Sequence, residues 1–270
     1  MIEKIEKIIR NNIYLYSISR FIVGKLLYNI IYEKEFNFFL NTRKEFENII
    51  DIGGNDGISS LILRKFNKKS KILCIEPNKF YETTLKKIKQ KDKNFDYLIC
   101  GASNIESIIK MYIPKFKNVY FRSLASIENK NFFNENSFLP NVGIKKENFK
   151  NVSLEDFEVK IIKLDSLNLN PDLLKIDVEG HELEVLEGCS STINKYRPLI
   201  IIEINKNNFP KIVNFMLEKN YILSIYNHNT HKLEYYKHIQ NFNVNDFYTW
   251  IRNKKISAGN SFFHYKDKKY

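Results

Sequence analysis

The chain has 270 residues, 43% of them hydrophobic and 14% aromatic, enough to bury a sizeable core and suited to one domain with additions. Its 43 lysines and arginines against 31 aspartates and glutamates give a net charge of +12, which favours a negatively charged partner. The basic runs at 68–71, 86–93 and 252–255 fall between predicted elements and read as solvated faces. No RNA-recognition pattern or zinc-finger spacing accompanies them, so no nucleic-acid partner is expected. Cys74, Cys100 and Cys189 are too few and too scattered for a disulfide framework or a Cys-rich metal site. Buried thiols in a reducing cytoplasm fit them.

Residues 1 to 47 read as a helical extension, with Ile5, Ile8, Ile9, Leu15, Ile18, Phe21 and Ile22 at roughly helical spacing. The beginning of the chain lacks the compact order of a signal peptide. The stretch "IYLYSISRFIVGKLLYNII" (13 to 31) is interrupted by Arg20 and Lys25, whereas a membrane span needs about 20 predominantly apolar residues. It reads either as a helix packed on the main sheet or as an amphipathic helix giving peripheral membrane contact.

From residue 48 to 270 the pattern predicts a Rossmann-like α/β domain. Short apolar runs alternate with amphipathic stretches, as in a doubly wound, mostly parallel sheet with helices on both faces. Strands are predicted at 48–53, 71–77, 96–102, 172–177, 198–204 and 221–227, with helices at 58–67, 79–90, 181–195 and 208–219. Residues 104–171 form an insertion with extended segments at 110–115 and 159–167 and irregular loop around Pro140 and Gly143. The tail, 228–270, is rich in aromatic residues. Either segment could wall an acceptor pocket, or the tail could simply pack on the domain.

Asp51, Gly53, Gly54, Asn55 and Gly57 stand where the first strand turns into the first helix. The glycines allow positive φ and close approach of a ligand, and the helix start offers unpaired N–H groups. Glu76, at the end of the second strand, is placed as the acidic side chain that accepts hydrogen bonds from both ribose hydroxyls in nucleotide-binding α/β folds. The dinucleotide pattern G-x-G-x-x-G fails, because Asn55 stands two positions after Gly53. A methionine-bearing ligand suits the turn better: Asp51 and a second carboxylate could neutralise its ammonium, and backbone N–H groups could bind its carboxylate.

"DIGGNDGISS" (51 to 60) resembles the first motif of class I S-adenosylmethionine-dependent methyltransferases, and "LLKIDVEGHELEVLEG" (173 to 188) resembles the signature of the FkbM-type family. With "CIEPN", "GAS" and "IIEIN" the resemblance spans about residues 48 to 226. One departure is Gly54, where the family often has alanine. The resemblance implies a cofactor cradle of Asp51, Gly53, Asn55, Gly57 and Ser60, ribose binding by Glu76, adenine beside Ala102 and Ser103, and Asp177 facing the methionine end. All of these are expected at carboxyl ends of strands.

Methyl transfer from a sulfonium needs an aligned acceptor and, for a hydroxyl, a proton acceptor. Glu179, His181 and Glu203 are the candidates. The group Asp177, Glu179, His181 and Glu203 has ligands suited to Mg²⁺, but nothing demands a metal and none is expected. His228, His231, His238 and His264 lack metal-site spacing and read as surface or tail residues. The resemblance, with the Lys-, Ile- and Asn-rich composition of AT-rich bacterial genomes, implies O-methylation of a sugar hydroxyl in a bacterial surface glycan, capsule or lipopolysaccharide, or in a nucleotide- or lipid-linked precursor. Two rivals are a cofactor-binding module without turnover and an RNA methyltransferase. The second lacks the N-P-P-Y type tetrapeptide, having "DVEG" in its place.

Overall fold

The computed structural model describes residues 34–42, 44–127, 132–133, 139–142, 144, 146–204, 208–237, 242–256 and 259–268; the extension expected before residue 34 lies outside them. After a 3-10 turn, the short helix α1 (Phe38–Asn41) leads into β1 (Asn48–Ile52). The rings of Phe36, Phe38, Phe39 and Phe46 are buried in the main core, so residues just ahead of β1 belong to the domain.

The first half of the sheet follows: α2 (Ile58–Phe66), β2 (Lys71–Ile75), α3 (Glu82–Lys91) and β3 (Phe95–Leu98). β1, β2 and β3 pair in parallel. Chain order then crosses to the other side of β1, where β8 (Leu173–Ile176) and β9 (Leu199–Glu203) continue the parallel sheet. Buried on both faces, these strands are near-continuous apolar runs, as internal parallel strands must be. Their alternate residues feed two cores. Ile49, Leu173 and Ile201 pack with α2 and α3, whereas Ile50, Leu174 and Ile200 pack with α4 (Glu182–Gly188), α5 (Ser190–Tyr196) and α6 (Phe209–Glu218).

The expected strand at 96–102 is two strands in different sheets. β3 ends at Leu98, and β4 (Gly101–Ala102) leaves to pair with β7 (Ser153–Ile162). The departure brings backbone close to a side chain: a Cβ on Gly101 would lie 2.5 Å from Ile161 Cδ1. β4, β5 (Ser107–Phe116), β6 (Val119–Tyr120) and β7 form a second sheet in the order β4-β7-β5-β6, so much of the insertion is regular antiparallel structure. Its predicted extended segment at 159–167 ends early, because Leu164–Leu167 is a 3-10 turn. The helix expected over 181–195 is likewise interrupted at Cys189. Asp165 there accepts hydrogen bonds from Ser191 N (2.9 Å) and Thr192 N (2.8 Å), capping α5 as a separate helix.

The tail is part of the sheet. After β10 (Tyr221–Asn227), β11 (Lys232–Tyr235) and α7 (Val244–Asn253), strand β12 (Asn260–Tyr265) inserts antiparallel between β9 and β10, giving the order β11-β10-β12-β9-β8-β1-β2-β3. Tyr236, Phe242, Phe247 and Trp250 cluster beneath it around Phe209. His264 is buried in β12, not on the surface. Tyr236 and Phe247 lie in the core, and Phe242 and Trp250 pack against it. Because Phe262 is fully buried against Phe38, Phe262→Ala should cost about 3 to 5 kcal/mol in urea unfolding, whereas a peripheral tail would lose under about 1 kcal/mol.

Candidate active site

Chain order reverses between β1 and β8, and open α/β sheets bind ligands in the crevice outside the carboxyl ends at such a switch. The two strands leave the sheet almost in contact. A Cβ on Gly53, where φ is +77°, would lie 1.7 Å from the Asp177 carbonyl oxygen and 2.7 Å from its carbon. Glycine at 53 is therefore demanded first by the protein's own backbone, and only then by any ligand. At Gly54 a Cβ would lie 2.3 Å from Cys74 Sγ and 3.2 Å from Asp51 Oδ2, so the cysteine takes the space an alanine would need. Gly57, at φ +84°, starts α2 against Ile88 and Leu85.

Most of the turn's N–H groups are spent internally, contrary to the expectation that they await a ligand. Gly53 N donates to Ile75 O (2.8 Å), Gly57 N to Gly54 O (2.8 Å) and Ile58 N to Asp56 Oδ1 (3.3 Å). Asn55 N donates to Glu76 Oε2 (2.9 Å), while Glu76 Oε1 accepts from Asn78 N (2.8 Å). Glu76 thus ties the glycine turn to the end of β2. Burial is the main cause lifting its carboxyl from 4.5 to about 7; the hydrogen bonds from Asn78 and Asn55 pull it back down, and Asp51 and Asp56 add to the rise. Asn78 also donates through Nδ2 to Arg122 O (2.9 Å), joining this strand end to the second sheet's 3-10 turn.

Asp51 and Ser60 lie beneath the crevice and do not line it, both being 0% exposed. Asp51 Oδ2 accepts from Ser59 Oγ and Ser60 Oγ, each at 2.6 Å, and Lys175 Nζ stands 3.7 Å from Oδ1. The Asp51 carboxylate thus serves α2 and a lysine, with none of its surface exposed in the crevice. Ala102 and Ser103, expected beside the adenine, follow the end of β3 but leave the main sheet. They belong to β4 and the residue after it, in the second sheet, with the Ser103 carbonyl pressed against Gly188, where a Cβ would lie 1.9 Å away. That contact accounts for the glycine closing the 173–188 signature.

Asp177 and Glu203 follow directly after the paired residues Ile176 and Ile202, so they emerge side by side at the ends of β8 and β9. Between β8 and α4 the chain turns through Glu179 (φ +53°) and Gly180 (φ +107°). This turn is clamped: Glu182, fully buried, accepts from Gly180 N (2.9 Å) and Asn208 Nδ2 (2.8 Å), and the same amide donates to Gly180 O (3.0 Å). A left-handed non-glycine residue costs energy and persists only where surroundings over-determine it, as these bonds do. His181 is exposed at the start of α4, and its side chain makes no capping bond.

The Glu203 carboxyl rises from 4.5 to about 7, chiefly through burial, then through Asp177, Glu179 and Glu182, against the lowering effect of Lys175. Glu179 is raised by the same kinds of neighbour. Its side chain meets water at the turn, yet desolvation by the atoms around it is still the first cause, followed by Asp177 and Glu182. Among the described residues no group of three or more His, Cys, Asp or Glu side chains is placed to hold a metal ion. Lys175, Ser59, Asn78 and Glu182 stand in the sequence only as members of motifs, with no role of their own, and Asn208 only at the start of a predicted helix. A lysine inside an apolar strand was the available signal for the first.

The sequence model of the family described as "Methyltransferase FkbM domain" matches residues 51–223. The chain belongs to the FkbM methyltransferase family. Among solved structures, methyltransferase FkbM from Methylobacillus flagellatus KT is similar in fold, with 14% identity, a TM-score of 0.51, and coverage of 86% of this chain and 48% of that one. The chain therefore spans about half the length of that relative. A precorrin-6y C5,15-methyltransferase from Geobacter metallireducens GS-15 has 10% identity, a TM-score of 0.39, and coverage of 84% of this chain and 82% of the other. Among curated proteins none matches. No helix among the described residues is long and apolar enough to cross a membrane.

A carboxyl held near 7 in the folded chain and near 4.5 when unfolded favours folding while protonated. That stability is present below about pH 4.5 and is lost as pH rises through about 7. Glu203→Gln should therefore match the unaltered protein in urea unfolding at pH 4.5 and exceed it at pH 8 by about 1 to 3 kcal/mol.

Proposed function

We propose that the FkbM-family chain transfers a methyl group from S-adenosylmethionine to the oxygen of a sugar hydroxyl in a bacterial surface glycan, capsule or lipopolysaccharide, or in its nucleotide- or lipid-linked precursor. The observation that carries the reading is the set of carboxyl groups at the ends of β8 and β9, where burial first, and then the charges of Asp177, Glu179 and Glu182, lift the Glu203 carboxyl to about 7. Such excess negative charge favours a cationic ligand end, and a carboxyl near 7 suits proton transfer at neutral pH. The donor fits these residues: Glu76 retains acceptor capacity for ribose hydroxyls beyond the two N–H groups it already binds, and Asp177 offers its carboxylate to the methionine end.

S-adenosylmethionine, when bound, supplies a methyl group already activated by its positive sulfur. The chain's own task is alignment and proton removal. Glu203 is the favoured base, taking the acceptor hydroxyl proton on its carboxylate. Glu179, held in its turn by the Glu182–Asn208 clamp, stands beside it, and His181 at the rim is the third candidate. Glu203 must be ionised to act, so transfer by this base rises as pH passes through about 7.

The net charge of +12 supports a phosphate-bearing acceptor, and a cytoplasmic enzyme with peripheral membrane contact through its first 31 residues is compatible with this reading. Calorimetric titration should give binding of S-adenosylmethionine and S-adenosylhomocysteine, none of NAD, and a loss of at least about tenfold in Glu76→Ala. No binding by the folded protein would remove the donor assignment. Loss of one methylated sugar from the cell surface on gene deletion would support the acceptor class, and an unchanged glycan would overturn it.

A further inference from the structure

Lys175 is a charged residue in the middle of a four-residue strand that is otherwise apolar and wholly buried, and its own side chain is 1% exposed. Its register partner on β1 is Asp51, equally buried. A pair of buried charges in that position needs no third member, and well-packed apolar residues commonly replace such a pair without loss. Here the ammonium leans away from its register partner. Nζ lies 3.7 Å from Asp51 Oδ1 but 3.0 Å from Asp177 Oδ2, and Asp177 is the member of the trio that reaches the crevice, with 31% of its side chain exposed.

Asp51 is fixed from the opposite side. Its Oδ2 receives both the Ser59 and the Ser60 hydroxyls at 2.6 Å, so α2, Asp51, Lys175 and Asp177 form a continuous line of polar contacts from the helix start to the crevice. Oδ1 of Asp51 is buried and accepts no hydrogen bond, leaving the lysine as the charge that faces it. The same cation also acts on Glu179 and Glu203.

We propose that Lys175 is a positioning residue: anchored by buried Asp51, it holds the Asp177 carboxylate through Oδ2 so that Oδ1 is left for the ammonium at the amino-acid end of the methyl donor. The inference rests on the donor reading above and gives Asp51 its part at second hand. A purely structural Lys175 would serve only to neutralise Asp51.

The two roles separate in Lys175→Met/Asp51→Asn, which removes both buried charges together and leaves Asp177 in place. Circular dichroism and a thermal melt establish that the variant folds. The probe is S-adenosylhomocysteine, which keeps the amino-acid end and lacks the sulfonium. If Lys175 positions Asp177, calorimetry gives affinity at least about tenfold weaker than for the unaltered protein. Equal affinity overturns the proposal. A second measurement needs no folded double variant: in unaltered protein labelled with ¹⁵N-lysine, the Lys175 ammonium signal, assigned by its absence from Lys175→Arg, should shift when S-adenosylhomocysteine saturates the site. An unmoved signal in saturated protein overturns the proposal. Failure of the unaltered protein to bind the probe at all is a distinct result, and it removes the donor reading itself.

Discussion

The backbone leaving β1 passes the backbone leaving β8 so closely that no side chain fits between Gly53 and the Asp177 carbonyl. That approach fixes the spacing of the two strand ends flanking the topological switch. Several features follow from it. The turn must start with a left-handed glycine, and Gly53 N bonds back to Ile75 O on β2. Glu76 can then hold Asn55, which draws the end of β2 into the same frame. A bulkier residue at 53 would separate β1 from β8 and with it Asp51 from Lys175.

Charge is the second organising element, and it opposes stability. Asp177, Glu179, Glu182 and Glu203 gather at the ends of β8 and β9 and in the turn between β8 and α4, and Lys175 is the cation that acts on Glu179 and Glu203. Glu76 and Glu203 both stand near 7 because burial and like charges penalise their ionised forms. A folded chain keeps such groups together when other interactions outweigh the repulsion. The two apolar cores, the Gly180 clamp and the serine bonds to Asp51 provide that surplus. Perturbed carboxyl groups concentrated at one end of a sheet mark a functional site.

Much of this was legible in the sequence. β1, β2, β8, β9 and β10 are short apolar runs bounded by turn residues, and their positions were predicted within about two residues. The alternation of these strands with amphipathic helices also predicted the doubly wound sheet. β12 was missed because "NSFFHY" follows an aromatic-rich stretch, and an antiparallel strand inserting between two others leaves no local mark. The split at Cys100 was missed because β3 and β4 are nearly continuous in sequence and are separated only by their tertiary partners. Within the site, residue types were legible and depths were not. Asp51 stood in the right motif, but whether its carboxylate faces a ligand or a lysine depends on the rotamers around it, and nothing local marks Glu182 as the acceptor that clamps the Gly180 turn.

A crystal structure with S-adenosylhomocysteine bound would test the account most directly. The ribose hydroxyls should then lie at Glu76 and the amino-acid end at Asp177, with the Lys175 contact kept and the glycine turn unmoved. An open cavity at the opposite, amino-terminal ends of β1, β2 and β3, lined by Lys71, Lys93, Phe95 and Pro171 among others, is the alternative place for a ligand to settle. Density there, with the carboxyl-end crevice empty, would contradict the assignment of the site and every role built on it.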